Sequence, residues 1–420
     1  MSSSTFRVMV MSLENVLCPH TLDQDMSALM KAVTDGDLNT LQQLIQSKAD
    51  IEERDEDGFT PLMRAVELND VECVRTLISG KAFIDALDDD DATPLFTACR
   101  NGYVTITRLL LEAKANVDIL NADDAIPLLV AARHGHADCL QLLIEAKSDI
   151  EECDIECTTP LAAAIIGSHT SCVKILLRAK AAIEVDAAEE AAHTPLMIAV
   201  ENGKPECAQL IIDAKANIEA RNYRGATALS LAASAGEKDC MQVLLAAKAD
   251  IRTQDRTGYT PLMGAVTQSA DCAQILIDAK VDIEAQANDG ATALIEAVAS
   301  GQEECVRLLI ANRANVEAKT DDDFNVLYYA TCVGHPDFPQ MIIDAGANIE
   351  AKGPEGKTAL MSVAYGGNRE CLKALIGAKA DIEACNNFGQ TALMIAANIG
   401  NEECVSTLLL AHRSRSDHSA

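Results

Sequence analysis

The sequence predicts an all-α solenoid of stacked helix–turn–helix units joined by finger-like β-turn connections. Three observations predict it. First, the tripeptide Thr60-Pro61-Leu62 recurs as Thr93-Pro94-Leu95, Thr159-Pro160-Leu161, Thr194-Pro195-Leu196 and Thr260-Pro261-Leu262, at a period of about 33 residues. Second, degenerate copies fill the gaps: Ser27-Ala28-Leu29, Ile126-Pro127-Leu128, Thr227-Ala228-Leu229, Thr292-Ala293-Leu294, Asn325-Val326-Leu327, Thr358-Ala359-Leu360 and Thr391-Ala392-Leu393, giving twelve units. Third, hydrophobic residues make up 49 % of the chain but aromatics only 3 %, with no Trp. Small and aliphatic side chains suit the close stacking of short helices. A fixed period of this length means a stacked array whose units each contact their neighbours, not a globule with one core.

Each element of one unit has a local cause. In residues 55–85, Asp55-Glu56-Asp57-Gly58 is turn chemistry, with Gly supplying a positive φ. Thr60 suits an N-cap and Pro61 the first helical position. Leu62, Met63, Ala65 and Val66 have helical spacing, and the first helix ends near Asn69-Asp70. A second helix is expected from about Glu72 to Ser79, with Cys73, Val74, Leu77 and Ile78 on its apolar faces. Ile84-Asp85 then leads to the next turn.

This pattern resembles the ankyrin repeat, over roughly residues 26–412. The resemblance implies a fold and a mode of action, protein binding, but no particular partner. Two departures are systematic. The His that follows Thr-Pro-Leu in that family is replaced by Met63, Phe96, Leu129, Ala162, Met197, Ser230, Met263, Ile295, Tyr328, Met361 and Met394. The Gly that ends the second helix is replaced by Lys48, Lys81, Lys114, Lys147, Lys180, Lys215, Lys248, Lys280, Arg313 and Lys379; Gly346 keeps the pattern. A non-Gly residue in the left-handed conformation costs about 1 kcal/mol. A cation at a helix C-terminus recovers roughly 0.3–1 kcal/mol.

Composition restricts the function further. The net charge of -30 opposes binding to nucleic-acid phosphates or anionic lipid, and favours a basic partner or simple solubility. No apolar run reaches the ~18 residues of a membrane span, and Glu14 interrupts the short apolar run Val8 to Leu13, which makes a poor signal peptide. Nine of the cysteines share one helical phase: Cys73, Cys139, Cys172, Cys207, Cys240, Cys272, Cys305, Cys371 and Cys404. Stacked units lie roughly 10 Å apart. That exceeds the ~7 Å reach of a disulfide, so these are expected to be buried free thiols in a reducing compartment, cytoplasmic or nuclear. Cys153 and Cys157 lack a second pair for zinc. Asp88 to Asp91 lack the spacing of a calcium loop. There is no P-loop, nucleophile elbow, H-E-x-x-H or dinucleotide fingerprint, so neither enzyme activity nor a cofactor is expected.

The chain is expected to comprise a lead-in (1–25), the repeat array (26–412, its first unit a cap) and a short tail (413–420). Fraying is expected around His412-Arg413-Ser414-Arg415, because no further finger follows. Three irregularities interrupt the array. The finger from Glu184 to His193 is longer and acidic, the eighth unit is one residue short around Gln268-Ser269-Ala270-Asp271, and the tenth carries Pro336 and Pro339. The resemblance places the binding surface on a concave groove of finger tips and first-helix ends. Two features stand out there. Acidic tips cluster early, above all Asp88, Asp89, Asp90 and Asp91. Arg221, Arg224, Arg252 and Arg256 interleave with Tyr223 and Tyr259 in the middle, and Phe59, Phe324, Tyr365 and Phe388 add further aromatics. Tyr and Arg dominate interface hot spots. The reading is therefore a monomeric, non-enzymatic scaffold for a protein or peptide. The alternatives are an acidic inhibitor masking a basic segment, or a targeting subunit of an enzyme.

Overall fold

The Thr-Pro-Leu motif does locally what its chemistry dictates. Thr60, Thr93 and Thr194 sit in extended backbone and accept the amides of Met63, Phe96 and Met197 at 3.4, 3.1 and 3.3 Å, with Pro at the first helical position. Most of the residues that replace the family's His turn inward: Met63, Leu129, Met197, Met263 and Met361 are buried, whereas Tyr328 is half-buried and Met394 exposed. In two repeats the sulfur also works as a cap. Met63 Sδ and Met263 Sδ each accept the amide of the capping Thr at 3.4 Å.

The computed structural model describes residues 27–184 and 193–416, the side chains of the last three excepted. The expected lead-in and most of the long acidic finger lie outside these residues. The chain divides into two compact bodies, up to Ala182 and from Ile183 onward. In the first body, the first helices are Ala28–Thr34, Pro61–Glu67, Pro94–Arg100, Pro127–His134 and Pro160–Ile166. Their partners are Leu38–Gln46, Val71–Ser79, Val104–Glu112, Ala137–Glu145 and Thr170–Arg178. In the second body, the first helices are Pro195–Glu201, Ala228–Ala235, Pro261–Val266, Ala293–Ala299, Val326–Val333, Ala359–Gly366 and Ala392–Ile399. Their partners are Pro205–Asp213, Lys238–Ala246, Ala270–Asp278, Glu303–Ala311, Phe338–Asp344, Arg369–Gly377 and Glu402–Ser416. Among the described residues no strand forms; one isolated bridge pairs Lys319 with Asn325. The architecture is an all-α repeat solenoid.

Within each body the pairs stack through aliphatic layers such as Leu62, Leu95, Leu128 and Leu161, or Leu229, Leu262 and Leu294, all buried. Each such leucine contributes about 1.5–3 kcal/mol. The nine phased cysteines are buried free thiols, and burial pushes Cys73 and Cys240 up to about 12 and Cys172 and Cys305 up to about 11. The lysines that end the second helices take the left-handed conformation, with φ from 65° at Lys48 to 74° at Lys215.

The C-terminal end differs from expectation. The last helix, Glu402–Ser416, is the longest, and it runs through the segment expected to fray. His412 stands at the phase where Lys379 turns left-handed, but it stays helical, and its Nε2 lies 3.5 Å from Glu383 Oε1.

Two carboxylate patterns were hidden in the acidic composition. In the fingers, one Asx side chain accepts two amides of its own turn. Asp88 Oδ1 binds the amides of Asp90 and Ala92 at 2.9 and 2.8 Å, and Asn222 Oδ1 those of Arg224 and Ala226, both at 3.0 Å. Asp55, Asn121, Asp154, Asp255 and Asn386 do the same. The second pattern joins neighbouring repeats. A carboxylate after most second helices accepts a backbone amide at the same place in the next repeat: Glu52 from Phe83, Asp85 from Asn116, Asp118 from Asp149 and Glu151 from Ala182 in the first body. Glu184 from Asn217, Glu219 from Asp250, Glu284 from Asn315, Glu317 from Asn348 and Glu350 from Asp381 continue it in the second. Much of the acidic charge is thus part of the scaffold.

Candidate interaction surface

The fingers leading into the seventh and eighth repeats set the Arg–Tyr cluster side by side. Each is an Asx turn, on Asn222 and on Asp255, closed by the positive-φ Gly225 and Gly258. The Arg256 amide donates to the Arg224 carbonyl at 2.9 Å, so the two tips are joined through their backbones. Gly225 is needed at that junction: a Cβ there would lie 3.1 Å from the Arg256 amide nitrogen. Arg221, Asn222, Tyr223, Gly225, Gln254, Asp255 and Arg256 line an open cleft of about 370 Å³.

The four arginines do four different things. Arg221 Nη1 donates to the carbonyls of Gly225 and Gln254, both at 2.7 Å, and so ties its own finger to the next. Arg54 makes the same tie with the carbonyls of Gly58 and Leu87, both at 2.8 Å. Arg224 lies over the Tyr223 ring, 5.3 Å from its centroid, and its Nε donates to the Tyr223 hydroxyl at 2.7 Å. Arg256 is exposed, and its guanidinium makes no hydrogen bond or ion pair among the described residues. Arg252 is set apart, in a second open cleft of about 430 Å³ that shares Gln254 with the first.

The aromatic candidates separate in the same way. Tyr223 is 41 % exposed. Tyr259 is half-buried, and its hydroxyl reaches Glu296 Oε2 of the next first helix at 3.2 Å. Burial, with Glu296 beside it, pushes the Tyr259 phenol well above its ordinary range. Burial likewise raises Glu296, against the opposing hydrogen bond from Tyr259. Phe59 is covered by Arg64, whose guanidinium sits 4.8 Å from the ring centroid and pairs with Asp55, Asp57 and Glu67 at 2.5, 2.9 and 2.6 Å. Phe324 packs on Tyr328 and Tyr329, with centroids 4.9 and 6.0 Å away. Phe388 and Tyr365 are each 68 % exposed.

Of the acidic tip, Asp88 is half-buried and engaged by its own turn, whereas Asp89, Asp90 and Asp91 are exposed. Asp91 takes φ 57°, the left-handed place that Gly58 fills one repeat earlier. His136 and His169 are ties between repeats: each Nε2 lies 3.0 Å from a carbonyl of the preceding repeat, Arg100 and Arg133, and so donates to it. Among the described residues no group of three or more His, Cys, Asp or Glu could hold a metal, and no helix is long and apolar enough to cross a membrane.

What sequence reasoning missed is the carboxylate ladder. The signal was present, as an Asp or Glu at one phase of almost every repeat, but an acidic residue beside a turn is indistinguishable from a solvated one until its partner amide, about one repeat away, is seen.

Comparison with known proteins supplies the family. A family model for ankyrin repeats, three copies long, matches residues 9–88, 29–121, 80–154, 128–222, 196–287, 269–353 and 327–418. No curated protein matches the chain. Among solved structures it is similar to the human ASB11 ankyrin repeat domain, 29 % identical over 54 % of this chain and 99 % of that one, with a TM-score of 0.47. It is also similar to the ankyrin repeat domain of Bcl-3, a unique member of the IkappaB protein family, 27 % identical over 52 % of this chain and 98 % of that one, with a TM-score of 0.46. Ankyrin repeat domains are protein–protein interaction modules and typically not enzymes. With the family match spanning nearly its whole length, the chain belongs to the ankyrin-repeat family.

Proposed function

We propose that this chain is a non-enzymatic scaffold whose protein or peptide partner docks on the finger tips that lead into the seventh and eighth repeats. One observation carries the reading. Tyr223 and Arg256 stand exposed along one cleft, Arg224 is exposed beside it over the Tyr223 ring, and among the described residues no ion pair uses either Arg224 or Arg256. A ring with a guanidinium over it is a flat, amphipathic, largely pre-ordered surface, which lowers the entropy cost of binding. Arg221 and Tyr259 support this surface from below, through the finger tie and the Glu296 contact.

The second reading, an acidic surface that masks a basic segment, draws on Asp89, Asp90 and Asp91. They project from one finger and pair with no cation among the described residues. Affinity purification with the full chain separates the two. Loss of a partner with Tyr223→Ala/Arg224→Ala/Arg256→Ala, and its retention with Asp89→Asn/Asp90→Asn/Asp91→Asn, is the result expected of the scaffold reading. The reverse pattern, together with loss at high salt, belongs to the masking reading. We place the protein in a reducing compartment, cytoplasmic or nuclear, because its phased thiols are free and buried.

A further inference from the structure

The carboxylate ladder has one gap inside the second body. At the phase held by Glu219 before it and Glu284 after it stands Arg252. Allowing for the residue that the eighth repeat lacks, the amide left without its carboxylate is that of Asp282; among the described residues no hydrogen bond from it occurs. The gap is an opening as well as a substitution. The cleft of about 430 Å³ lies there, and Arg252, Lys280 and Asp282 are among the residues that line it. Arg252 and Lys280 are exposed, and neither side chain forms an ion pair or hydrogen bond among the described residues. The carboxylate of Asp282, which lines the cleft, and that of Asp250, two residues before Arg252, are each engaged by an amide of their own turn, those of Glu284 and Arg252, at 3.0 and 2.9 Å.

We propose that this gap is a docking site for a carboxylate of a partner protein, an Asp or Glu side chain in an acidic segment that supplies in trans the ladder contact that the chain omits here. Elsewhere along the ladder one carboxylate meets one backbone amide, so the vacant position is shaped for that group. The two cations supply the charge that the other positions do not need. Gln254 lines both this cleft and the Tyr223–Arg256 cleft, so the two adjoin across one side chain and an extended segment that leaves the gap can reach the tip surface. The inference rests on the scaffold reading only in taking the ligand to be a protein.

The test uses the full chain and fluorescent peptides of alternating Glu and Ser, with matched Gln–Ser and phosphoserine–Gly peptides. The Glu–Ser peptide should bind at least about tenfold tighter than the Gln–Ser peptide, as a charge-assisted hydrogen bond from the Asp282 amide with two cations beside it allows. Arg252→Glu restores the ladder carboxylate. It should abolish this preference while raising the melting temperature, a combination that mere damage does not produce. Arg252→Gln should weaken the Glu–Ser peptide severalfold and leave the melting temperature unchanged. Equal binding of the Glu–Ser and Gln–Ser peptides, a preference for phosphoserine alone, or a lower melting temperature for Arg252→Glu each overturns the proposal. Tyr223→Ala/Arg224→Ala keeps the two readings apart. If it loses the cellular partner while no Glu preference exists, the scaffold reading stands and the gap does not; if the Glu preference exists and the partner is kept, the gap stands alone.

Discussion

The finger at Asp88 and the finger at Asn222 share one scaffold and present opposite surfaces. In both, an Asx oxygen accepts two amides of its own turn, and a left-handed residue, Asp91 or Gly225, closes the loop. They differ at the tip: Asp89 and Asp90 on one, Tyr223 and Arg224 on the other. The lesson is that charge in this chain has two fates. Some of it builds repeats and is spent on amides; the remainder stands on the tips and is free to meet a partner. Net charge alone does not distinguish the two, whereas position within the repeat does.

The comparison predicts unequal responses to removing acids. Asp154, a scaffold acid, accepts the amides of Glu156 and Thr158 and pairs with Arg133 while buried. Asp154→Ala should cost about 2–4 kcal/mol, read by chemical denaturation, because it strands two amides and a cation. Asp89→Asn should stay within about 0.5 kcal/mol. Equal effects would erase the distinction. A smaller loss is expected at the ladder, where the contact is exposed: Glu219→Ala, which frees the amide of Asp250, should cost about 0.5–1.5 kcal/mol.

The Tyr259–Glu296 contact sharpens the same comparison through pH. Burial raises Glu296 above the ordinary carboxylate value, so the folded chain keeps this proton at pH values where the unfolded chain has lost it. Its contribution to stability is therefore full below the unfolded pKa and is lost as pH rises through the folded one. Glu296→Gln should melt higher than the parent at pH 7, and the difference should shrink toward pH 4. A difference independent of pH would contradict the assignment. The smallest effect concerns the lysines. Lys147→Gly and Lys248→Gly relieve left-handed backbone at φ 73° and 67° but give up a cation at a helix end. Each should raise the melting temperature slightly, by a net of about 0.5 kcal/mol or less. A fall would reveal contacts of these lysines beyond the cap.

The fold was legible because its determinants are local. Thr60-Pro61 specifies a helix start within four residues, and Lys147 marks a helix end without reference to anything distant. Of the candidate residues, Tyr223 and Arg256 are brought to one cleft, with Arg224 over the Tyr223 ring beside it. The site was illegible where function depends on a partner about one repeat away. Arg221 reads as a free surface cation until the Gln254 carbonyl is found on it, and Tyr259 reads as exposed until Glu296 is. Phe59 and Phe324 likewise meet neighbours, Arg64 and Tyr328, that only the folded turn brings close. The C-terminal helix departs from expectation, since Glu402–Ser416 stays helical through His412.

The most direct test of the central claim is hydrogen–deuterium exchange on the full chain, alone and with the partner recovered by affinity purification. The account predicts slowed exchange at residues 221–226 and 254–259, and unchanged exchange at 88–92. Protection confined to 88–92, or to the surface carrying the second helices, would contradict it.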